Sequence, residues 1–257
     1  MMHAAAIEAA GLDYAYVPLA VSPDRLAEAV RGLGALGFRG CNVTIPHKVA
    51  VAGLMDALTP AARGIGAVNT ILLEEDGRLV GDNTDCEGAF DAIEDVTGVS
   101  PAGREVLVIG AGGAAMACAW GAAARGARVV RVLNRTRARA EEVVRAMAAQ
   151  HPGCHFEVVA CTDRERIAAC GIVLQMTSLG MKPGDALPLD PETLDSDAVV
   201  LEAVYSPLVT PWLQRCRERG LRAVDGLAML VGQGALAFER WTGVRADRRA
   251  MKAAIEG

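Results

Sequence analysis

Lysine is what this chain has least of among its charged residues: of 26 basic residues only Lys48, Lys182 and Lys252 are lysines. Blocks of like charge are missing as well. The net charge of -5 is spread over residues of mixed sign, which leaves no basic footprint for nucleic acid or for an anionic membrane surface. A small anion must therefore be captured locally. The opening residues Met1 to Glu8 lack a basic stretch followed by a sustained apolar one, so no secretory leader is expected and a cytoplasmic location is. The seven cysteines are odd in number and contain no C-x-x-C pair, which argues against a disulfide framework and agrees with a reducing compartment. His151, Cys154, His155 and Cys161 cluster without a common zinc spacing, so no metal is expected there. The uncharged run from Val106 to Ala124 approaches the length of a membrane span, but Gly110, Gly112, Gly113, Gly121 and many alanines mark it as a buried strand running into a helix.

With 52% apolar and 22% charged residues, the chain can bury one large core or two modest ones. Its first third mixes patterns: a helix near Met2 to Ala10, a strand over Tyr14 to Val21, and a helix opened by Ser22-Pro23 with Ser22 as N-cap. Further strands are expected at Phe38 to Thr44, Ala67 to Leu73 and Arg78 to Gly81, the last two joined around Asp76-Gly77. From Arg104 the rhythm becomes regular strand-helix alternation, which implies a parallel, doubly wound sheet. The fold class is thus α/β with two domains: an α/β domain over residues 1–85 and a Rossmann-like, doubly wound parallel-sheet domain over 86–225. Residues 226–257 are expected to form helices returning to the first domain.

Gly110-Ala111-Gly112-Gly113-Ala114-Ala115 directly follows an apolar strand and opens a helix. Gly110 permits the tight turn, Gly112 lets the backbone approach a pyrophosphate, and Ala115 keeps helix and strand close. Free amides at the helix start, from Gly113 and Ala114 onward, hold phosphate. The second strand ends in Asn134-Arg135-Thr136, with Arg139 in the next turn, where an NAD enzyme usually places a carboxylate. A guanidinium forks onto a 2'-phosphate that a carboxylate would repel, so NADP is the expected cofactor. Thr136 can cap the following helix and still donate to the phosphate.

Lys48 is informative because arginine cannot release a proton at neutral pH and lysine can. In Asn42-Val43-Thr44-Ile45-Pro46-His47-Lys48, Pro46 is expected to begin a helix, whose dipole at Lys48 would ease deprotonation. Gly81-Asp82-Asn83-Thr84-Asp85 and Ala67-Val68-Asn69-Thr70 supply further polar turns. Taken alone, Asn83, Thr84 or Asp85 could each be only a helix cap. Together these turns suggest a shared hydroxyl-binding pocket.

These segments, with Val204-Tyr205-Ser206-Pro207 and Asp225-Gly226-Leu227-Ala228-Met229-Leu230-Val231-Gly232-Gln233, make the chain resemble the shikimate dehydrogenase family over nearly its whole length. The resemblance implies a catalytic pair at Lys48 and Asp85. It implies substrate contacts at Thr44, Asn69, Gln233 and Tyr205, the last at the mouth between the domains, and a cofactor contact at Met229. It also implies reduction of 3-dehydroshikimate to shikimate by NADPH, with a cyclohexene carboxylate as the small-molecule partner in a monomer or homodimer. Quinate or aminoshikimate dehydrogenation, and a non-catalytic NADP-binding relative, stand as alternatives. Four departures bear on these expectations. Ala4 replaces the family's usual asparagine. The family's opening strand and its carboxylate-binding serines precede the residues matched by Met2-His3, Gln175-Met176-Thr177 stands where Asn-Ala-Thr is typical, and Glu202 replaces an aspartate.

Overall fold

A computed structural model describes residues 1–256. The chain forms two compact units, one of residues 1–88 with 231–257 and one of residues 89–230. The divisions fall inside two helices, α4 (Asp85–Thr97) and α9 (Gly226–Thr242). The first division comes directly after Gly88, whereas the sequence places the boundary near residues 85–103 by the change of rhythm and by Gly98, Pro101 and Gly103.

In the first unit a four-stranded sheet has the order β1 (Gly40–Asn42), β3 (Thr70–Leu73), β4 (Leu79–Asp82), β2 (Ala57–Leu58). The β3–β4 pair is the antiparallel hairpin expected around Asp76-Gly77, and β2 joins β4 in parallel. Helix α2 (Leu26–Ala35) buries Leu26, Val30 and Leu33 with Val68 and Ile71. That spacing of three and four residues is one stripe of a helix. A second cluster joins α1 (Met2–Ala9), the later part of α9 and α10 (Arg248–Glu256) through Ala6, Val231, Ala235, Phe238 and Met251. The terminal helix thus packs within the first unit.

Three local expectations are corrected. Tyr14 to Val21 is not a strand. The ladder bonds of β1 go to β3, and among the described residues no backbone neighbour pairs with this segment. Side chains hold it instead: Tyr16 donates to Asn42 Oδ1 at 3.0 Å, and the His47 ring meets the Val21 carbonyl at 2.9 Å. Between the segment and β1 lies a cavity of about 380 Å3 bounded by Tyr16, Leu26, Val30, Cys41 and Ile71. Pro46 does not begin an α-helix. Residues 45–49 are turns leading to a short 3-10 helix, Ala50–Leu54, because the Lys48 carbonyl accepts from Val68 N–H rather than from a helical amide. Ser22 makes no side-chain cap bond; Pro23–Arg25 is a 3-10 turn before α2.

The second unit is a six-stranded parallel sheet built from β5 (Glu105–Ile109), β6 (Val129–Leu133), β7 (His155–Val158), β8 (Ile172–Gln175), β9 (Val199–Glu202) and β10 (Arg222–Val224). Its order, β10-β9-β8-β5-β6-β7, places the reversal of strand order between β5 and β8. This is the doubly wound arrangement in which ligands bind outside the carboxyl ends of the strands at that switch point. Val106 and Val108 enter one apolar cluster, Leu107 and Ile109 the other, so β5 is covered on both faces. The uncharged run from Val106 is β5 followed by α5 (Gly113–Ala124). No helix among the described residues is long and apolar enough to cross a membrane.

Candidate active site

Asn69 stands just before β3 and Asp85 opens α4, so the backbone alone brings two polar side chains together. Asn69 Nδ2 donates to Asp85 Oδ1 at 2.8 Å, and Lys48 Nζ donates to the other carboxylate oxygen, Oδ2, at 2.7 Å. The lysine side chain is 19% exposed and the aspartate 7%. A carboxylate held from both oxygens in this degree of burial has little freedom to turn, and the charge-assisted contact to Lys48 is of the stronger kind. Lysine carries three donors, so one contact to Asp85 leaves two for a substrate oxygen.

Thr84 ties this pair to a third element. Its N–H donates to Asn69 Oδ1 at 2.9 Å, while its hydroxyl donates to the Gln233 carbonyl at 3.1 Å and lies 3.1 Å from Asn69 Nδ2. Asn69 Nδ2 also lies 3.5 Å from Gln233 Oε1. Asn83 donates to the Ala67 carbonyl and accepts from Asp85 N–H, which fixes the first turn of α4. The close approach of α4 and α9 depends on glycine: a Cβ on Gly88 would lie 2.5 Å from Gln233 N, and one on Gly232 would lie 2.9 Å from Gly88 O.

Lys48, Asn69, Asp85 and Gln233 are therefore brought together. Thr44 is exposed, and its carbonyl accepts from His47 N–H. Tyr205, 52% exposed, belongs to the second unit in the segment after β9; Met229, 7% exposed, packs in that unit's core. Thr84 is the residue that sequence reasoning undervalued. It was read as one of several candidate caps, whereas its side chain bridges to a position 149 residues away. Lys48 lies in a turn, so the helix-dipole argument for it does not apply; what faces it is Asp85.

In the second unit Gly110 has φ +126°, a conformation an L side chain rarely adopts, and a Cβ there would sit 3.1 Å from Met176 O. Added Cβ atoms on Gly112 and Gly113 would meet no protein atom within 4 Å. Gly112 is the N-cap of α5 without a side-chain cap bond, and Ala115 is fully buried. Uncapped amides at the start of a 12-residue helix, beside glycines that let a ligand reach the backbone, fit a pyrophosphate. Asn134 Nδ2 donates to the Thr136 carbonyl at 2.9 Å and shapes the turn that presents Arg135. Thr136 occupies the N-cap position of α6 (Arg137–Ala148) without a side-chain cap bond, contrary to the expected dual role. Arg137 is taken by Glu141 at 2.8 Å. Arg135 and Arg139 are exposed and have no ion-pair partner among the described residues, which suits a phosphate on the ribose. Among the described residues no three His, Cys, Asp or Glu side chains gather as a metal site.

A doubly wound sheet with a glycine turn at its switch point, joined in one chain to an α/β unit carrying a buried lysine-aspartate pair, defines the class: a two-domain dehydrogenase of the pyridine-nucleotide type. Comparison narrows it. Residues 1–71 match the shikimate dehydrogenase substrate binding domain, 93–179 the shikimate / quinate 5-dehydrogenase model, and 226–256 the shikimate 5'-dehydrogenase C-terminal domain. The shikimate dehydrogenase (NADP(+)) of Rubrobacter xylanophilus is 45% identical over 100% of this chain and 90% of its own length. A crystal structure of shikimate dehydrogenase in complex with NADP+ superposes with a TM-score of 0.91 at 35% identity, covering 99% of this chain and 88% of the other. The ligand-free 5-ketofructose reductase of a Gluconobacter strain matches with a TM-score of 0.90 at 34% identity, over 99% and 91%. The chain belongs to the shikimate dehydrogenase family.

Proposed function

We propose that this protein is an NADP-dependent shikimate dehydrogenase that interconverts 3-dehydroshikimate and shikimate, with Lys48 and Asp85 handling the proton. The observation that carries the reading is the 2.7 Å contact between Lys48 Nζ and an Asp85 carboxylate whose second oxygen is held by Asn69. Bound NADP supplies the hydride acceptor for oxidation and, once reduced, the donor for reduction. In reduction the Lys48 ammonium gives its proton to the ketone oxygen as hydride arrives at the carbon. In oxidation the neutral amine takes the hydroxyl proton, and Asp85 stabilises the ammonium that forms. Asn69 acts first by orienting Asp85. With Thr44 and the Gln233 amide it is assigned to the ring hydroxyls, because amides and hydroxyls both donate and accept. Tyr205 and Met229 are assigned to the substrate and nicotinamide ends of the hydride path.

NADP fits the second unit through the Gly110 turn, the uncapped start of α5 and the exposed Arg135 and Arg139. The same relatives support the choice, since the Rubrobacter protein is an NADP(+) enzyme by name. The test is NADPH formation followed by absorbance when purified protein meets NADP and shikimate, with quinate and NAD run in parallel. Shikimate with NADP is expected to be the fastest combination. Faster turnover of quinate would replace the substrate assignment, and absence of NADP reduction with either would contradict the enzyme assignment.

A further inference from the structure

The last residues of β8 and β9, Gln175 and Glu202, are register partners, and both are fully buried. Gln175 Nε2 donates to Glu202 Oε1 at 3.1 Å. Val204 N–H donates to the same oxygen at 3.0 Å, and the Thr210 hydroxyl donates to Oε2 at 2.9 Å. One carboxyl group thus gathers three segments. Each of them is built further. Gln175 Oε1 accepts from Thr177 N–H at 2.7 Å and its amide reaches the Leu179 carbonyl at 3.0 Å, which sets the chain after β8. Thr210 Oγ1 accepts from Leu213 N–H and so caps α8 (Pro211–Glu218) while donating to Glu202. Gly180 closes on Thr210, since a Cβ there would come within 2.9 Å of Thr210 Cγ2. A Cβ on Gly226 would lie 2.5 Å from Val204 O, so the start of α9, with Met229 one turn on, rests against the backbone that Glu202 holds.

These segments leave the carboxyl ends of β8 and β9, on the side of the switch point opposite to Asn134 and Arg135. A dinucleotide lying across that point has its two halves on different sides. The adenosine end belongs to β5 and β6, and the nicotinamide end to β8 and β9. Gly110 connects the two sides, because its turn abuts Met176 O.

We propose that Glu202 is a positioning residue for hydride transfer: its buried carboxyl group fixes the segments after β8 and β9 that receive the nicotinamide half of the cofactor. The proposal rests on the NADP reading above. Glu202 touches no reacting atom and acts through Gln175, Val204 and Thr210. Burial also pushes its carboxyl up to about 7, the desolvation outweighing its hydrogen bonds. The neighbouring titratable group on α8 is Cys216, whose thiol burial and the Glu202 charge push up to about 12; Arg219 faces that thiol.

The experiment compares wild type with Glu202→Gln and Glu202→Asp at pH 8. Three quantities are read: NADPH affinity by fluorescence, affinity for adenosine 2',5'-bisphosphate, and kcat and KM with saturating substrate. Glu202→Gln removes the charge and keeps only one acceptor oxygen, so its amide NH2 meets either the donors of Gln175 and Val204 or the Thr210 hydroxyl, and NADPH affinity and kcat are each expected to fall roughly tenfold. Affinity for the bisphosphate, which engages only the adenosine side, is expected to stay at the wild-type value. Glu202→Asp keeps the charge and is expected to recover part of both losses. Equal weakening of NADPH and bisphosphate binding in Glu202→Gln would reduce Glu202 to a general structural role and overturn the proposal, as would wild-type values throughout. The two affinities are read without turnover, so failure of the substrate assignment leaves this test intact.

Discussion

Lys48 and Asp85 lie 37 residues apart in the sequence, and each drew attention for a different reason. Lys48 stood out because lysine is rare here and a proton donor of adjustable basicity has few substitutes. Asp85 stood in a polar turn where a cap was an equally good reading. What composition and spacing do not contain is which polar atoms meet. Thr84 reaches Gln233 across 149 residues, and Gln175 reaches Glu202 across 27, through the register of β8 and β9. Such contacts are properties of the assembled sheet and helices. Two outcomes follow at this scale. Arg135→Ala is expected to weaken NADP binding by about 1–3 kcal/mol through lost charge-assisted hydrogen bonds, and NAD binding much less. Titration of both cofactors checks it, and equal losses would remove Arg135 from the 2'-phosphate site. The second concerns Glu202, whose folded carboxyl is raised from the ordinary value of 4.5 to about 7 by burial. Between those values the folded protein holds a proton that the unfolded chain has released. Stability contributed below pH 4.5 is therefore lost as pH rises through 7, by on the order of 3 kcal/mol. Urea midpoints measured from pH 5 to pH 8 should decline in wild type and decline less in Glu202→Gln; parallel curves would show that Glu202 does not titrate in this window.

Helices and strands differ in how openly the sequence declared them. The strand-helix alternation after Arg104 was legible because β5, β8 and β9 are largely apolar runs buried on both faces and the turn after β5 is marked by glycine. Tyr14 to Val21 looked just as strand-like, yet a strand exists only by pairing, and no described segment pairs with it. Pro46 carried a sound local signal for a helix start, and it was overridden when Val68 took the Lys48 carbonyl. The approach of α4 to α9 was invisible beforehand, since Gly88 and Gly232 read merely as weak helix formers. Their function appears in what a methyl group would meet. Gly88→Ala places a Cβ 2.5 Å from Gln233 N, a backbone atom that cannot swing aside. The expected cost is about 1–3 kcal/mol of stability, with a fall in kcat as Thr84 and Gln233 move apart. Gly32→Ala is the control. Its Cβ would meet nothing within 4 Å in α2, so that variant should gain about 0.5–1 kcal/mol from reduced unfolded-state freedom. Chemical denaturation of the pair separates packing from propensity; a loss in both, or in neither, would contradict the assigned contact.

At the scale of the molecule, one unit carries the Lys48–Asp85 pair and the other the Gly110 turn, and the chain passes between them through the continuous helices α4 and α9. The residue types for both halves of the chemistry were written in the sequence: a lysine and an aspartate in one unit, a glycine turn with Arg135 and Arg139 in the other. The central claim is that Lys48 moves the proton while the second unit binds the cofactor independently of it. The most direct measurement is kcat for shikimate oxidation beside NADPH affinity in wild type and Lys48→Ala. The account predicts that kcat falls by about 10²- to 10⁴-fold, the range for loss of a general acid-base group, while NADPH affinity is unchanged. Turnover by Lys48→Ala within a factor of about two of wild type would contradict it, since such a change is far below what losing the proton donor entails.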